Sequence, residues 1–198
     1  DVMKIFDDQK KIAVAPCICR TTAKKMGEGC DKPMEACFLF GSHASYYVDN
    51  KMGRYIDKEE AKAIARKNEA AGLVMQPFNS QHVGGMCSCC GDCCGILRSL
   101  KKQDNPAAAV KSNYFAQIDE EECVGCEICV DRCQMEAIEM QDEKAVIELK
   151  RCIGCGLCVS TCPTDAVRLM KKSDENQYLP PKTGMETYIR IAQERGKM

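Results

Sequence analysis

Eight cysteines between residues 123 and 162 have the spacing of metal ligands. They form two runs, CVGCEICVDRC and CIGCGLCVSTC, and each run follows the pattern C-x2-C-x2-C-x3-C. Thiolate sulfur is a soft ligand, which selects zinc or iron–sulfur clusters over hard cations. Zinc sites usually show two C-x2-4-C pairs instead of runs of four, so the pattern favours two cubane 4Fe–4S clusters over a pair of zinc knuckles.

The ligand sets follow from the geometry of a tight loop. Three closely spaced thiols can cap three iron corners of a cubane, but the same loop cannot reach the fourth corner. In a two-cluster arrangement the fourth cysteine of each run crosses to the other cluster. We therefore predict one ligand set of Cys123, Cys126, Cys129 and Cys162. The second predicted set is Cys133, Cys152, Cys155 and Cys158.

Nine further cysteines lie before residue 95, and seven of them are candidate ligands of an additional metal site. These candidates are Cys17, Cys19, Cys30, Cys37, Cys87, Cys90 and Cys93. Cys87, Cys90 and Cys93 repeat the C-x2-C-x2-C spacing, which leaves one cubane corner for an earlier thiol. The four earliest thiols could instead close a site among themselves. We expect at least one additional iron–sulfur cluster; the alternatives are buried or zinc-binding cysteines and a dithiol redox centre.

Composition separates this chain from secreted, disulfide-rich proteins. It has 198 residues and 17 cysteines, and in a short secreted chain such a density would indicate disulfides. The odd count, the lack of a signal-like opening segment and the need for free thiols argue against that class. We expect a soluble protein of a reducing, anaerobic cytoplasm. No apolar run approaches a membrane span, and no basic or aromatic surface indicates nucleic-acid binding.

Charge is unevenly distributed along the chain, although the formal net charge is only −1. Residues 119–148 hold 11 acidic and 2 basic side chains, whereas residues 1–118 and 149–198 are each net positive by 4. The acidic stretch coincides with the first cysteine run. It predicts either a solvated face or a docking surface for a basic redox partner.

Hydrophobic patterns predict helices and strands of the α+β class. The run KIAVA at residues 11–15 indicates a strand, and Leu73-Val74-Met75 indicates another that we expect to pair with it. Residues 57–72 indicate a helix with Asp57 as its N-cap. A last helix is expected at about 184–195, where apolar residues recur at helical spacing.

The predicted domain organisation has three parts. Residues 1–110 form a cysteine-rich α/β module, residues 111–172 hold the two cysteine runs, and residues 173–198 form a tail with a helix. Within the middle part we expect Tyr114–Ile118 to pair with Ala166–Met170. A central hairpin is expected to join Ile138–Met140 to Val146–Leu149, with its turn at Asp142-Glu143.

Residues 114–170 resemble bacterial-type ferredoxins with two 4Fe–4S clusters. The wider set of motifs is similar to the C-terminal part of a larger family of 4Fe–4S dicluster-domain proteins from anaerobic bacteria and archaea. The motifs that carry this resemblance are APCICR, GEGCDKP, GLVMQP, CSCCGDCCG, CIGCGLCVSTCPT and ETYIRIAQERGK. Gln134 departs from the ferredoxin pattern, which has proline after the fourth cysteine.

The cysteine runs and the resemblance together imply one-electron transfer between redox partner proteins. On this interpretation the chain is an electron carrier or an electron-transfer subunit more than a catalyst on its own. One alternative is a reductase-type enzyme with a catalytic cluster in the N-terminal module. Another is a redox sensor, because relatives in the larger family often carry a winged-helix-like region.

Overall fold

The computed structural model describes residues 2–198 as a mixture of helices and strands. The first half of the chain contains α1 (Val2–Asp7), β1 (Ile12–Pro16), α2 (Ile18–Lys25), β2 (Glu35–Phe40), α3 (Gly41–Asp49), β3 (Arg54–Ile56), α4 (Lys58–Ala70), β4 (Val74–Pro77) and β5 (Gly85–Cys89). The second half contains α5 (Gly95–Lys101), α6 (Pro106–Ala109), β6 (Tyr114–Ile118), α7 (Ile128–Arg132), β7 (Ile138–Gln141), β8 (Lys144–Ile147), β9 (Val167–Lys171), a 3-10 helix (Asp174–Asn176) and α8 (Gly184–Glu194). Within residues 2–198, none of the helices is both long and apolar enough to cross a membrane.

The chain divides into two compact units. The first unit contains the chain up to Ala71 together with Met75–Cys89 and Leu179–Met198, and the second contains Gly72–Val74 and Cys90–Tyr178. The mixture of helices and strands agrees with the predicted mixed class. The three-part division of the sequence stays a prediction.

A five-stranded sheet with the order β3-β1-β2-β5-β4 forms the centre of the first unit. The predicted pairing of the first strand with Leu73-Val74-Met75 is wrong, because β2 and β3 occupy both edges of β1 and β4 lies at the far side of the sheet. The strand that pairs with β1 instead is β2, whose sequence EACFLF is apolar after Glu35. Its antiparallel register aligns Cys37 with Ala15 on one side and with Cys87 on the other.

The two faces of this sheet are covered by different helices. Side chains alternate between the faces of a strand, so Phe38 and Leu39 point to opposite sides. On one face Phe38 packs against Phe6 of α1, with ring centroids 5.0 Å apart, and against the small residues of α4. On the other face Leu39 belongs to a cluster with Ala44 of α3. Cys37 shares this second face with Leu39 and is therefore turned away from the aromatic core.

The helix predicted at residues 57–72, with Asp57 as its N-cap, is confirmed by α4. Asp57 precedes the helix, and its Oδ1 accepts a hydrogen bond of 2.8 Å from the Glu60 backbone N–H. Gly72 follows the C-cap Ala71 with φ of +76°, a left-handed conformation that glycine adopts without a steric penalty. The helix therefore ends where the sequence indicates.

Two short antiparallel pairs build the core of the second unit. Strand β6 pairs with β9, so that Tyr114 lies opposite Lys171, and strand β7 pairs with β8. The turn between β7 and β8 contains Asp142 and Glu143, both with positive φ, as a two-residue hairpin turn requires. Both predicted pairings are confirmed within one or two residues. The buried residues between them are small or aliphatic, and they form one cluster with Cys123, Cys129 and Cys158.

Candidate metal centres

One cavity of the second unit is lined by the four thiols of the first predicted ligand set, Cys123, Cys126, Cys129 and Cys162. Three of them lie on the loop after β6 and in α7, whereas Cys162 precedes β9. The loop is tight at Gly125, which has φ of +67° and where a Cβ atom would lie 2.3 Å from the Glu143 carbonyl oxygen. Glycine at this position lets the loop bring its thiols to the cavity.

A second cavity is lined by the other predicted set, Cys133, Cys152, Cys155 and Cys158. Burial, together with the charges of the other three cysteines, raises the pKa of Cys158 to about 12. All four side chains line the same cavity, so the four thiols face a common space. The structure thus assembles two groups of four thiols. Their assignment as ligands stays a prediction.

The thiols of the first group differ in their electrostatic surroundings. Burial raises the pKa of Cys129, and the charges of Cys126 and Cys123 add to the shift. Burial also acts to raise the pKa of Cys162, but hydrogen bonds from the backbone N–H groups of Thr164 and Val167 outweigh it and lower that pKa. A bound cation would remove the cost of burying these sulfur atoms as thiolates, because metal binding deprotonates its cysteine ligands.

Backbone amides donate hydrogen bonds to two sulfur atoms of the second group. The Ala137 N–H lies 3.2 Å from Cys133 Sγ, and the Ala116 N–H lies 3.4 Å from Cys152 Sγ. Such donors stabilise thiolates and orient them. Apolar cavities lined by four sulfur atoms, with amide donors around them, fit 4Fe–4S clusters by the chemistry of their donor atoms.

A third group of thiols lies in the first unit. Cys37 and Cys87 face each other across strands β2 and β5. A hydrogen bond with Cys87 raises the pKa of Cys37, and burial and the charges of Cys87, Cys17 and Cys19 raise it further. The reciprocal hydrogen bond from Cys37, with one from Cys89, lowers the pKa of Cys87 to about 3. Cys17 follows strand β1, whose Ala15 pairs with Cys37, and Cys19 lies two residues further along in the first turn of α2.

Arg20, the residue after Cys19, is a fully buried charged side chain. Its Nη2 atom donates a hydrogen bond of 3.1 Å to the Ser88 carbonyl oxygen on strand β5. The guanidinium charge also acts to lower the pKa of Cys87. Arg20, Lys24 and Lys25 follow the Cys17–Cys19 pair in the sequence, where a basic side chain can offset the charge of a bound cluster or be solvated. The structure buries Arg20 and exposes both lysines.

The remaining N-terminal candidates have other positions. Cys30 lies in the loop between α2 and β2 of the first unit, whereas Cys90 and Cys93 lie in the turn before α5 of the second unit. The Cys94 N–H donates a 3.1 Å hydrogen bond to the Cys90 carbonyl oxygen, which closes that turn. Cys87 belongs to strand β5 instead of this turn. The C-x2-C-x2-C spacing therefore does not place these three cysteines on one loop.

The acidic stretch of residues 119–148 lies almost entirely at the surface of the second unit. Ten of its 11 carboxylates are exposed, and Asp119 is half-buried. The stretch also exposes the side chains of Val124 and Ile128, which flank the exposed Cys126. An acidic surface with a small apolar centre next to a cysteine run can bind a partner with the opposite charge.

The two histidines of the chain lie on one open cavity of the first unit. His43 and His82 are both exposed, and they line a cavity of about 470 Å³ together with Asp8, Gln9 and Gln81. They are not buried core histidines.

Residues 116–170 match a family model described as a 4Fe–4S dicluster domain. The matched segment lies within the second unit and includes all eight cysteines of the two runs. The chain therefore contains an iron–sulfur domain. Among curated proteins, none matches the chain.

Proposed function

We propose that this chain transfers single electrons between partner proteins through two 4Fe–4S clusters in its second unit. The observation that carries the proposal is the division of eight cysteines into two cavities of four thiols, within the segment that matches a dicluster domain. The strand pairs β6–β9 and β7–β8 around these cavities support a ferredoxin-like arrangement.

Each residue group has a distinct task in this proposal. When bound, 4Fe–4S clusters supply one-electron redox chemistry. Cys123, Cys126, Cys129 and Cys162 hold one of them, and the set that contains Cys158 holds the other. The N–H groups of Ala116 and Ala137 donate to thiolate sulfur, which stabilises the more negative reduced state. The chain takes one electron from a reduced partner and gives one electron to an oxidised partner, without group transfer.

The acidic surface selects the partner in this proposal. Its exposed carboxylates attract a protein with a basic surface, and the apolar side chains of Val124 and Ile128 lie in contact range once the partner has docked. Cys126 is exposed at the same place, so the electron has a short path to the partner. We also propose that the cysteine-rich first unit holds at least one additional iron–sulfur cluster.

The proposal is tested by the iron content and the redox behaviour of the full chain after anaerobic reconstitution. We expect reversible uptake of at least two electrons per chain and about eight irons with eight sulfides from the two runs. Cys152→Ala and Cys133→Ala should remove the same spectroscopic species, whereas Cys162→Ala should remove the other one.

Cys94→Ala is the matched control, because Cys94 is buried in the same unit but lies outside both cavities. It should keep both species. Loss of the same species in Cys162→Ala and Cys152→Ala would contradict the crossed ligand sets. A chain that binds zinc in both cavities and takes up no electrons would contradict the function itself.

A further inference from the structure

The first unit brings four cysteines together on one face of its five-stranded sheet and at the end of strand β1, although Cys87 is far from the other three in the sequence. Cys37 lies in the middle of β2 and Cys87 in the middle of β5, directly opposite in the antiparallel register. Opposite residues of an antiparallel pair point to the same face of the sheet. Both thiols therefore lie on the face that does not carry the aromatic core.

The other two thiols reach the same place by continuing strand β1. Ala15 of β1 pairs with Cys37, and Cys17 follows two residues later. The Cys17 backbone N–H donates a hydrogen bond of 2.8 Å to the Met34 carbonyl oxygen, which holds Cys17 beside the start of β2. Helix α2 begins at the next residue, and Cys19 lies in its first turn.

We propose that Cys17, Cys19, Cys37 and Cys87 together bind an iron–sulfur cluster in the first unit. The proposal assigns one ligand set among the alternatives that the sequence leaves open. The set does not include Cys90 and Cys93, which lie in the second unit. All four proposed ligands are half-buried. A centre at this depth is shielded from bulk water but close enough to the surface to exchange electrons with a partner.

Contacts on both sides of the group support the closeness of the four cysteines. Cys37 and Tyr47 of α3 pack against the same hydrophobic cluster, so α3 covers the face that carries Cys37. Arg20, which follows Cys19, donates a hydrogen bond to the carbonyl oxygen of Ser88, which follows Cys87. The start of α2 therefore lies beside the strand position of Cys87.

Arg20 provides the positive charge that an anionic centre needs. A cluster with four thiolate ligands carries net negative charge, and burying it is favourable only beside compensating charge or donors. The guanidinium group is fully buried and is fixed to strand β5, next to Cys87, by its hydrogen bond to the Ser88 carbonyl oxygen. The N-terminus of α2, whose N-cap is Cys17, adds a favourable helix dipole.

Two other uses of these thiols predict different chemistry. A cross-strand disulfide between Cys37 and Cys87 would leave Cys17 and Cys19 without a role in the same site. Zinc accepts four thiolates but supplies no redox chemistry. The choice of iron–sulfur over zinc rests on the proposed electron-transfer function, because a third redox centre gives electrons a second path to the surface.

The test uses the full chain, purified and reconstituted without oxygen, and measures iron, acid-labile sulfide and zinc. Cys87→Ala should lower the content by about four irons and four sulfides per chain if the cluster is a cubane, or by about two of each if it is a 2Fe–2S cluster. Cys94→Ala is the control, because Cys94 is buried in the second unit outside both cavities, and it should keep the full content. Unchanged iron in Cys87→Ala, or equal loss in Cys94→Ala, would overturn the ligand set.

A second measurement does not depend on whether a variant folds. Cys17, Cys19, Cys37 and Cys87 should resist alkylation in the wild-type chain and should react once iron has been chelated, as read by mass spectrometry. Stoichiometric zinc released with these thiols, or a Cys37–Cys87 disulfide in the anaerobic chain, would overturn the proposal. The double variant Cys126→Ala/Cys155→Ala distinguishes this failure from failure of the proposed function. It should lose the clusters of the second unit and keep the first unit's iron.

Discussion

Gln134 Oε1 accepts a hydrogen bond of 2.6 Å from the backbone N–H of Gly91. Gln134 stands where the two-cluster ferredoxin pattern has proline, and a proline side chain could not accept this bond. Gly91 fits closely here, because a Cβ atom would lie 2.9 Å from the Gln134 carbonyl oxygen. The glutamine that replaces proline therefore links the turn that carries Cys90 and Cys93 to the segment after Cys133.

Gln134→Ala should destabilise the second unit by about 1 kcal/mol, since the half-buried Gly91 N–H loses its side-chain acceptor. The measurement is thermal unfolding of the reconstituted chain, followed through the absorbance of the clusters. Gln141→Ala is the control, because Gln141 is an exposed glutamine of the same unit. An equal melting temperature in wild type and Gln134→Ala would show that the contact contributes nothing.

Cys155→Ala should remove one cluster and lower the melting temperature of the second unit. Cluster binding contributes directly to folding when the ligands come from separate segments, and Cys133 and Cys158 line the same cavity as Cys155. Iron analysis should show a loss of about four irons per chain. If the variant keeps both its iron and its melting temperature, Cys155 is not a ligand.

The acidic surface predicts a salt-dependent rate of electron transfer. Exposed charges are screened over about 10 Å at 0.1 M ionic strength, so the second-order rate with a basic partner protein should fall as salt is added. Replacing Glu120 and Glu121 together by glutamine should slow the reaction at low salt.

The control for this prediction is the double variant Asp174→Asn/Glu175→Gln, which removes the same charge from an exposed site of the same unit outside the acidic stretch. It should leave the rate nearly unchanged. Rates that do not respond to salt or to the glutamate variant would leave the acidic stretch as a solvated face.

Arg20→Leu should make the reduction potential of the cluster proposed for the first unit more negative. Reduction adds an electron to an anionic centre, and a buried positive charge close to Cys87 stabilises that added charge. Across several ångströms of protein the expected shift is on the order of tens of millivolts. A redox titration of the full chain measures it, and Lys24→Leu is the control, since Lys24 is exposed on the same helix. Equal potentials in both variants would argue against a cluster beside Arg20.

The sequence predicted those elements whose boundaries are set by a few neighbouring residues. The cap at Asp57 and the hairpin turn at Asp142-Glu143 are encoded within a few residues, so helix α4 and the β7–β8 hairpin were predicted well. Strand β5, with the sequence GMCSC, was not predicted because its glycine, cysteines and serine lack a clear strand propensity. Its pairing with β2 depends on register between distant segments, which no local pattern specifies.

The burial of Arg20 was equally hidden from the sequence. A basic residue followed by two lysines on a short helix usually indicates a solvated face, and Lys24 and Lys25 do have one. Only the folded chain shows that the first of the three side chains is buried and donates a hydrogen bond to the Ser88 carbonyl oxygen.

Each cavity takes three thiols from one cysteine run and one from the other, and this arrangement sets the order in which the two four-thiol sets are completed during protein synthesis. When a ribosome has added Cys158, every thiol that lines the cavity of Cys133 and Cys155 already exists. The other cavity is lined by Cys123, the first of the eight cysteines to be synthesised, and by Cys162, the last, so at that point it still lacks one thiol. The site whose first cysteine leaves the ribosome earliest is therefore completed latest, and a chain interrupted between Cys158 and Cys162 contains one whole four-thiol set and three thiols of the other.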